Sequence, residues 1–552
     1  MPKSRILGLI IPVLLFSFTL TVYILTLSRS VYYGDSGEFI AVAKTLGVAH
    51  PPGYPLYTML AHLFTYLPFG NIAFKVNLFS AVTSSLTVVV IYLACLKLTG
   101  NRLASASASL ILAFSYLFWL YSLVAEVFSL NNLFVALIVL ISLHIFEKPQ
   151  NKKLFYLLSF VFALALTNHH TIVLLAPALL FLIFATNPKL LLQPKFLILN
   201  SLFIILGLLP YLYLPIRASA DPILNWGDPD TVERFLHVIL RKDFGTFSLS
   251  ASIGNKPFLI APVNYYFLSL FKDFLGATFL LVILGILFLY KKATRIFFFL
   301  LLCFFFLGPV FVFVSKTPMD NILIRGGLER FFIASLILIP IAASASVHKF
   351  ATKFLFSKYI YIVYLLFILV PIALLFLNFS KVNQKRNYLY EEFGELMFAQ
   401  LPPNSLLITF GDKGGMISRY MQVALNKRTD VLAVNFNFIP DKWYKENLQQ
   451  RFPSFPYPYD KFQPFKLSAR EAVDIICKEV VPNQPTFIEN KTDFFNPIAN
   501  NNCSYHMQGP VVRLDSPQNR LTKEALIAEY QRFWQPLEQK FPQRVHDYKT
   551  RT

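Results

Sequence analysis

Long apolar runs separated by short polar segments fill the first 379 residues of the chain. A run of roughly 20 apolar residues is long enough for an α-helix to cross the hydrocarbon core of a bilayer. One continuous apolar stretch is long enough for two helices, and we divide it at Asn168-His169-His170. The pattern then predicts eleven membrane-spanning helices, at residues 7–28, 74–96, 103–121, 127–146, 154–170, 171–187, 196–215, 274–290, 296–314, 331–347 and 359–378.

The pattern changes after residue 379, where the long apolar runs give way to a polar tail. Between Asn404 and Asn435 the segments SLLITF, GDKGGMISRYMQVALNK and DVLAVNF have the patterns of a strand, a helix and a second strand. Such a unit is typical of a small α/β domain. We therefore predict a transmembrane domain at residues 1–379, with long outer loops at 29–73 and 216–273, and a soluble extracytoplasmic α/β domain at residues 380–552.

The composition indicates a membrane protein and excludes a soluble one. Of the 552 residues, 55% are hydrophobic and only 14% are charged, whereas a soluble domain has about 25% charged residues. The net charge is +20, but residues 1–379 hold 27 basic and 12 acidic residues, and residues 380–552 hold 23 and 18. Most of the basic excess lies in short loops between apolar runs, as is typical of membrane proteins, in which such loops set the orientation of the chain. We therefore expect no nucleic acid partner.

The basic residues also predict the orientation of the chain, since Lys and Arg gather on the cytoplasmic side of membrane proteins. With the N-terminus in the cytoplasm, the cytoplasmic segments hold 15 basic residues and one acid, Glu147. An odd number of spans then places the C-terminal domain outside. The first apolar run has a basic start but no A-x-A site after it, which favours a retained span over a signal peptide. We expect a multi-pass protein of a bacterial cytoplasmic membrane.

The four cysteines divide between the two regions. Cys95 and Cys303 lie in apolar runs, whereas Cys477 and Cys503 lie in the polar tail, and no CxxC motif is present. An extracytoplasmic compartment permits disulfides. The 25 residues between Cys477 and Cys503 do not by themselves bring the two thiols together. Whether this pair is bridged stays open at the level of sequence.

The segment Tyr32-Tyr33-Gly34-Asp35-Ser36-Gly37-Glu38-Phe39 follows the first span directly and contains two acids three residues apart. Asp35 and Glu38 share one face if the segment is helical. They could cap the helix and favour its dipole. They could equally supply a general base, or a metal or cation ligand, at the lipid–water boundary. A third acid, Glu126, is flanked closely by apolar residues, where a carboxylate is costly unless it is paired.

Basic residues at the outer edges of predicted spans are candidates for binding an anion. His50 precedes Pro51-Pro52-Gly53-Tyr54-Pro55, where the prolines make the backbone rigid. The others are His169 and His170 in a predicted turn, Arg217 at the end of the seventh span, and Arg330 at the start of the tenth. An arginine in such a place often only extends its charge to the interface, but it can also grip a phosphate with two parallel hydrogen bonds. The tail sequence GDKGG at Gly411–Gly415 lacks the phosphate-loop pattern and predicts only the start of a helix.

These motifs together resemble a known family. The sequence D-S-G-E-F followed by L-G-V-A-H-P-P-G-Y-P-L-Y is similar to the first outer loop of a membrane family once catalogued as a domain of unknown function. That family is related to protein O-mannosyltransferases and belongs to the GT-C glycosyltransferases, which use lipid-phosphate sugars. Further similar segments are Phe118-Trp119 with Ala125-Glu126-Val127, Thr167-Asn168-His169-His170-Thr171, Tyr213–Arg217, Asn225-Trp226-Gly227-Asp228-Pro229 and Glu329-Arg330-Phe331-Phe332.

The resemblance implies a GT-C fold with an acidic catalytic residue in the first outer loop, which corresponds to Asp35. Related enzymes often carry a neighbouring acid, here Glu38, and another acid in a later outer loop, here Glu126. The motif D-S-G-E differs from the adjacent D-E pair of better-known protein O-mannosyltransferases. Metal dependence varies across the superfamily, so the sequence does not decide whether the protein uses a divalent cation or no cofactor at all.

The sequence therefore predicts an integral membrane glycosyltransferase that transfers a hexose, with mannose as the leading choice, from a polyprenyl-phosphate sugar to a hydroxyl. Asp35 would act as general base in an inverting displacement. Arg330, Arg217, His169, His170 and His50 would hold the donor phosphate. The acceptor could be a protein Ser or Thr, a glycan or a lipid. Two alternatives stay open: a transporter or lipid flippase, and a non-catalytic membrane receptor or assembly factor.

Overall fold

The computed structural model describes residues 3–245, 260–274, 277–315, 322–353, 359–399, 401–439, 441–452, 469–490 and 503–517, with isolated positions at 317, 319 and between 522 and 535. The chain divides into two compact units. The first comprises Met1–Arg29, Leu46–Pro222 and Pro229–Asn387, and the second comprises Ser30–Thr45, Ile223–Asp228 and Tyr388–Thr552. The second unit thus combines the polar tail with two short segments that the sequence places next to the membrane.

The described chain is mainly α-helical. The α-helices in chain order are α1 (Lys3–Thr26), α2 (Ser36–Thr45), α3 (Pro55–Thr65), α4 (Ile72–Thr99), α5 (Arg102–Phe114), α6 (Tyr116–Tyr121), α7 (Phe128–Glu147), α8 (Lys152–Leu166), α9 (Ala176–Thr186), α10 (Pro194–Leu208), α11 (Tyr213–Ala218), α12 (Val232–Ile239), α13 (Ile260–Asp273), α14 (Ala277–Lys292), α15 (Thr294–Phe305), α16 (Phe311–Ser315), α17 (Ile322–Glu329), α18 (Ile333–Leu336), α19 (Ile339–Lys353), α20 (Tyr359–Val382), α21 (Leu389–Phe398), α22 (Gly411–Arg419), α23 (Lys442–Arg451) and α24 (Ala469–Glu479). Short 3₁₀ helices lie at His170–Leu175, Pro188–Leu192, Leu209–Leu212, Lys242–Phe244 and Phe436–Phe438, and π-helical turns at Phe306–Val310 and Tyr420–Ala424.

Within the described residues, five helical segments are long and apolar enough to cross a bilayer. They are Gly8–Thr26, Ile72–Thr99, Phe128–Glu147, Pro194–Ala218 and Thr294–Ser315. A sixth candidate is bent by 41° between Arg325–Leu336 and Ile339–Val347. Shorter apolar helices lie at Arg102–Phe114, His170–Thr186 and Phe367–Val382. The number of eleven spans stays a prediction.

Helix ends in the first unit follow from local sequence. Asn71 caps α4 by accepting a hydrogen bond from the Phe74 amide at 2.8 Å, and Gly100 ends the same helix in the left-handed region at φ +65°. The break predicted at residues 168–170 is confirmed, because α8 ends at Leu166 and helical structure resumes at His170. The predicted span 103–121 is interrupted at Ser115, whose extended backbone separates α5 from α6.

The second unit contains a mixed five-stranded sheet. Its strands are β1 (Leu406–Thr409), β2 (Leu432–Asn435), β3 (Thr486–Glu489), β4 (Ser504–Gln508) and β5 (Val511–Asp515), in the order β2-β1-β3-β5-β4. Strand β1 pairs in parallel with β2 and β3, and β5 pairs antiparallel with β3 and β4. Helix α22 connects β1 to β2, which confirms the predicted strand–helix–strand unit.

A disulfide joins Cys477, near the end of α24, to Cys503, just before β4. Both residues belong to the buried core that packs against the sheet, together with Ile408, Val434 and Ile476. The tertiary fold thus supplies the proximity that the spacing of the two cysteines does not. A disulfide agrees with an extracytoplasmic position of this unit.

The GDKGG sequence forms the start of α22, as predicted. The Phe410 amide there donates to the buried Glu489 carboxylate, which lies at the end of β3, at 2.9 Å. A Cβ on Gly414 would lie 1.9 Å from the same carboxylate oxygen. A protein carboxylate therefore occupies the N-terminus of α22, and the glycine is needed to admit it.

Candidate functional site

The two acids of the first motif lie in the second unit, Asp35 directly before helix α2 and Glu38 in its first turn. The Asp35 carbonyl accepts a hydrogen bond from the Phe39 amide at 2.9 Å, so Asp35 occupies the capping position before α2. Asp35 is partly exposed, whereas Ser36, Gly37 and Glu38 are buried. Of the two acids, Asp35 is therefore the one that solvent can reach.

Glu38 is fully buried and forms an ion pair with Arg419 from the end of α22, with Oε1 and Nη1 2.5 Å apart. A buried carboxylate is tolerated only when a cation and hydrogen bonds compensate its lost hydration. The sequence prediction assigned Glu38 a catalytic role. Its contact with Arg419 gives it a structural partner, and its catalytic role stays a prediction, while Asp35 is partly exposed.

Aromatic rings surround the Arg419 guanidinium. Its central carbon lies 4.9 Å from the Trp226 ring and 5.6 Å from the Phe438 ring. Trp226 belongs to the motif Asn225-Trp226-Gly227-Asp228-Pro229, so two motifs from separate loops meet at one arginine of the tail. We call Glu38, Arg419, Trp226 and Phe438 the Arg419 cluster.

The first unit contains a second buried pair of the same kind. Arg330 Nη1 lies 3.0 Å from Oε1 of Glu126, whose side chain is 2% exposed. The guanidinium also lies 5.5 Å from the Phe128 ring and 5.7 Å from the Phe331 ring. The pairing explains how an acid with apolar sequence neighbours is accommodated. It also joins a predicted catalytic acid to a predicted phosphate ligand.

His169 lies beside this pair. Its ring is buried and packs against Tyr54, Phe128 and Phe331, with ring centres 5.2 to 5.9 Å apart. The Thr171 amide donates to Nδ1 at 3.2 Å. A nitrogen that accepts this bond carries no proton, so His169 is a neutral imidazole with its proton on Nε2.

His170 and His50 each contact a tyrosine. The Tyr211 hydroxyl donates to the Leu166 carbonyl at 2.8 Å, so its oxygen accepts from His170 Nε2, also at 2.8 Å. His50 Nε2 lies 3.2 Å from the Tyr54 hydroxyl.

Arg217, which the sequence also proposes as a phosphate ligand, donates from Nε to the Leu46 carbonyl at 2.7 Å. This bond holds the loop that precedes His50 and leaves the terminal nitrogens of Arg217 to other partners.

Arg241 is a basic residue that the sequence prediction missed. It lies just after α12 with a left-handed backbone, φ +53°, and its guanidinium lies 5.5 Å from the Phe244 ring. Its charge acts on both His169 and His170. Its Nε is buried, and no residue in the described part of the chain accepts a hydrogen bond from it. Its left-handed backbone is uncommon for a residue with a side chain, but sequence alone does not reveal it.

These residues form what we call the basic–aromatic cluster of the first unit: His50, Tyr54, Phe128, His169, His170, Tyr211, Arg241, Arg330 and Phe331. Such a group of basic side chains and aromatic rings suits an anionic ligand with an apolar portion. A cavity lined mainly by apolar side chains shares Phe128 and Phe331 with it. Among the described residues, no group of three or more His, Cys, Asp or Glu could hold a metal ion.

Comparison with known proteins agrees with the motifs. The family model "Protein O-mannosyl-transferase TMEM260 N-terminal domain" matches residues 35–192. Protein O-mannosyl-transferase TMEM260 of Mus musculus is 30% identical over 472 residues, which cover 82% of this chain and 66% of the mouse protein. Protein O-mannosyl-transferase tmem260 of Dictyostelium discoideum is 28% identical over 497 residues, covering 82% and 60%. The chain thus spans slightly less than two thirds of either relative.

The fold is similar to a solved membrane protein structure. ArnT from Cupriavidus metallidurans bound to undecaprenyl phosphate has a TM-score of 0.56 at 12% identity, covering 91% of this chain and 97% of ArnT. Its apo state has a TM-score of 0.57 at 10% identity, covering 93% and 99%. These matches confirm the predicted GT-C fold, and the named relatives confirm the predicted relation to O-mannosyltransferases. With its apolar helices, the chain is an integral membrane protein; its bacterial origin stays a prediction.

Proposed function

We propose that this relative of the TMEM260 protein O-mannosyl-transferases is a membrane glycosyltransferase that moves a hexose, with mannose as the leading choice, from a polyprenyl-phosphate sugar to a hydroxyl. The polyprenyl donor is supported by the ArnT structure bound to undecaprenyl phosphate. A protein hydroxyl is favoured as acceptor by the names of the two relatives. A glycan or a lipid acceptor would use the same chemistry.

The observation that carries the proposal is the contrast among the three candidate acids. Glu38 and Glu126 are buried and paired with arginines, whereas Asp35 is partly exposed at the start of α2. A general base must reach the proton that it accepts. Asp35 is therefore the best candidate base, and we assign Glu38 and Glu126 to holding arginines in place.

In the proposed reaction the acceptor oxygen attacks the anomeric carbon of the donor sugar. Asp35 takes the proton from that oxygen, the bond between the anomeric carbon and the phosphate oxygen breaks, and polyprenyl phosphate leaves with the electron pair. A single displacement of this kind inverts the anomeric centre. The leaving phosphate gains negative charge, which cations in a water-poor site stabilise strongly.

The basic–aromatic cluster, together with Arg217, would supply the cations and hydrogen-bond donors for this phosphate. Arg330 is held by Glu126, and Arg241 has a buried donor with no described acceptor. His169 would donate from Nε2 as a neutral imidazole, and His170, His50 and Arg217 would complete the set. Apolar helix faces would hold the prenyl chain.

We also propose that the N-terminus is cytoplasmic and that the second unit is extracytoplasmic, on the basis of the 15 basic residues against one acid in the predicted cytoplasmic segments. A reporter fused after Thr552 that is active only outside the cytoplasm is the expected result. A reporter active only inside would contradict the orientation.

The test is sugar transfer by the purified protein carrying Asp35→Asn. Asn keeps the size of the side chain and caps a helix about as well as Asp, so the variant should melt like the wild type. It cannot accept the proton, which should lower transfer by roughly 10²–10⁴-fold. Asp230→Asn is a matched control, since Asp230 lies in the predicted outer loop 216–273 and is paired with Arg234.

Near-normal transfer by Asp35→Asn would contradict the assignment of the base. If the wild type transfers no sugar from any polyprenyl-phosphate hexose, the result would contradict the proposed enzyme and favour a transporter, a flippase or a receptor.

A further inference from the structure

We infer that the tail holds helix α2 in place and that Arg419 is a positioning residue for Asp35. This inference rests on the proposed function for the role of Asp35, but the contacts that carry it lie entirely within the second unit. They tie the beginning, the middle and the end of the segment 30–45 to the helices that flank β1.

At the beginning of the segment, the Ser30 hydroxyl donates to the Glu391 carboxylate of α21 at 2.5 Å. The Tyr420 hydroxyl donates to the same oxygen at 3.0 Å. Burial raises the pKa of the Tyr420 hydroxyl far above its ordinary value, so it stays protonated and remains a donor at any physiological pH. The start of the motif is thus bound to two elements of the tail.

In the middle, α2 and α22 approach so closely that only glycine fits between them. A Cβ on Gly37 would lie 2.5 Å from the Met416 carbonyl oxygen, well inside van der Waals contact. The Glu38–Arg419 pair forms one residue later. Because α2 is short and isolated helices of this length are marginal in water, these tertiary contacts are what keep it folded.

At the end, the Lys44 ammonium donates to the Val423 and Ala424 carbonyls at 3.2 and 3.0 Å. These carbonyls belong to the π-helical turn Tyr420–Ala424, which follows α22 directly. A cation at the C-terminal end of a helix also interacts favourably with the helix dipole. Three separate polar contacts and one close backbone approach therefore fix both the position and the rotation of α2.

Arg419 has the central place in this arrangement for a chemical reason. A planar guanidinium can stack on an aromatic ring while its edge binds a carboxylate, and a lysine ammonium cannot do both. Arg419 thereby joins the Asp35–Glu38 motif to the Trp226 motif through Trp226 and Phe438. Loss of Arg419 would free α2 to shift, and a shift of about 1 Å in a catalytic group can cost roughly 10²-fold in rate.

The experiment measures kcat, the KM for the donor and amide hydrogen exchange of residues 36–45 in the full-length protein. The variants are Arg419→Gln, Arg419→Lys, Glu38→Gln and the double variant Glu38→Gln/Arg419→Gln. Lys427→Gln is the matched control, because Lys427 pairs with Glu395 in the same unit but is 44% exposed.

We expect Arg419→Gln to lower kcat by roughly 10²-fold and to speed exchange in α2, with the donor KM nearly unchanged. Arg419→Lys should have a kcat almost as low as that of Arg419→Gln. The double variant should lose no more kcat than Arg419→Gln alone, because the two residues act through one contact. Lys427→Gln should stay within about twofold of wild type.

Three results would overturn the inference: a kcat of Arg419→Gln close to that of Lys427→Gln, unchanged exchange in α2, or a raised donor KM with normal kcat, which would make Arg419 a donor ligand. The exchange measurement does not require sugar transfer. If the wild type transfers no sugar, the proposed function fails. Hydrogen exchange in α2 still tests whether Arg419 holds this helix in place.

Discussion

In the part of each unit that the structure describes, a buried Glu–Arg pair is flanked by two aromatic rings, and the two pairs differ in their surroundings. Glu126–Arg330 in the first unit lies beside the buried ring of His169. Glu38–Arg419 in the second unit lies between a helix of the tail and the motif segment 30–45. The chemistry of the two pairs is the same, but the first has the buried ring of His169 beside it, whereas the second lies where α2 and α22 pack closely together.

This difference suggests two uses of one structural element. An arginine surrounded by further donors is suited to share its fork between a protein carboxylate and an incoming phosphate. An arginine whose neighbours are a carboxylate and aromatic rings is suited to hold two segments of chain together. A buried ion pair between a glutamate and an arginine therefore does not by itself identify a catalytic site.

The largest expected effect is on folding, from breaking either pair at its acid. Glu38→Ala and Glu126→Ala each leave a mostly buried guanidinium without its carboxylate, which should cost about 3–5 kcal/mol of stability. Thermal melts of the purified variants check this. If the double variant Glu38→Leu/Arg419→Met is as unstable as Glu38→Ala, loss of packing rather than an unpaired charge explains the effect.

A slightly smaller loss is expected when the tail loses its disulfide. Cys503→Ser opens a loop of 26 residues, and a disulfide that closes such a loop stabilises by roughly 2–4 kcal/mol. The variant should lower the melting temperature of the second unit and leave the ligand response of the first unit unchanged. Alkylation of both thiols in the untreated, denatured wild type would show that the bridge is absent from the protein.

A third prediction separates the two arginines by ligand binding. Arg330→Lys keeps the charge but loses the planar fork, so the affinity for a polyprenyl phosphate should fall by about tenfold, equivalent to about 1.4 kcal/mol. Arg419→Lys should bind as the wild type does. The thermal shift produced by added polyprenyl phosphate measures both, and equal losses in the two variants would remove the distinction between the pairs.

The smallest effect concerns an exposed pair of the tail. Hydrogen bonds from Arg428 lower the pKa of Asp430 below its ordinary value. Because the folded pKa is depressed, the stabilisation is complete above the unfolded pKa near 3.8 and disappears as the pH falls through the folded value. Solvent screening limits it to less than about 1 kcal/mol. Melts of wild type and Asp430→Asn should converge at low pH and differ slightly at neutral pH; a constant difference would contradict the linkage.

Much of the fold could be predicted from local patterns. Apolar runs of spanning length, the break at Asn168-His169-His170 and the strand–helix–strand unit after Asn404 are all properties of neighbouring residues, and the helix limits agree with them. The interruption at Ser115 could not be predicted in this way, because the flanking residues are as apolar as a continuous span. The start of α22 was predictable, but the carboxylate of Glu489 that occupies it was not.

The sequence by itself determined that this is a membrane protein, that the candidate acids and basic residues lie in a few segments next to the apolar runs, and that a helix starts directly after Asp35. Those properties depend on residue type and short spacing, which are local. Only the tertiary structure decided which acids are paired, because Arg419 lies 381 positions from Glu38 and Arg330 lies 204 from Glu126. Ion pairing depends on distance in space and on burial, and neither is recorded in the order of residues along the chain.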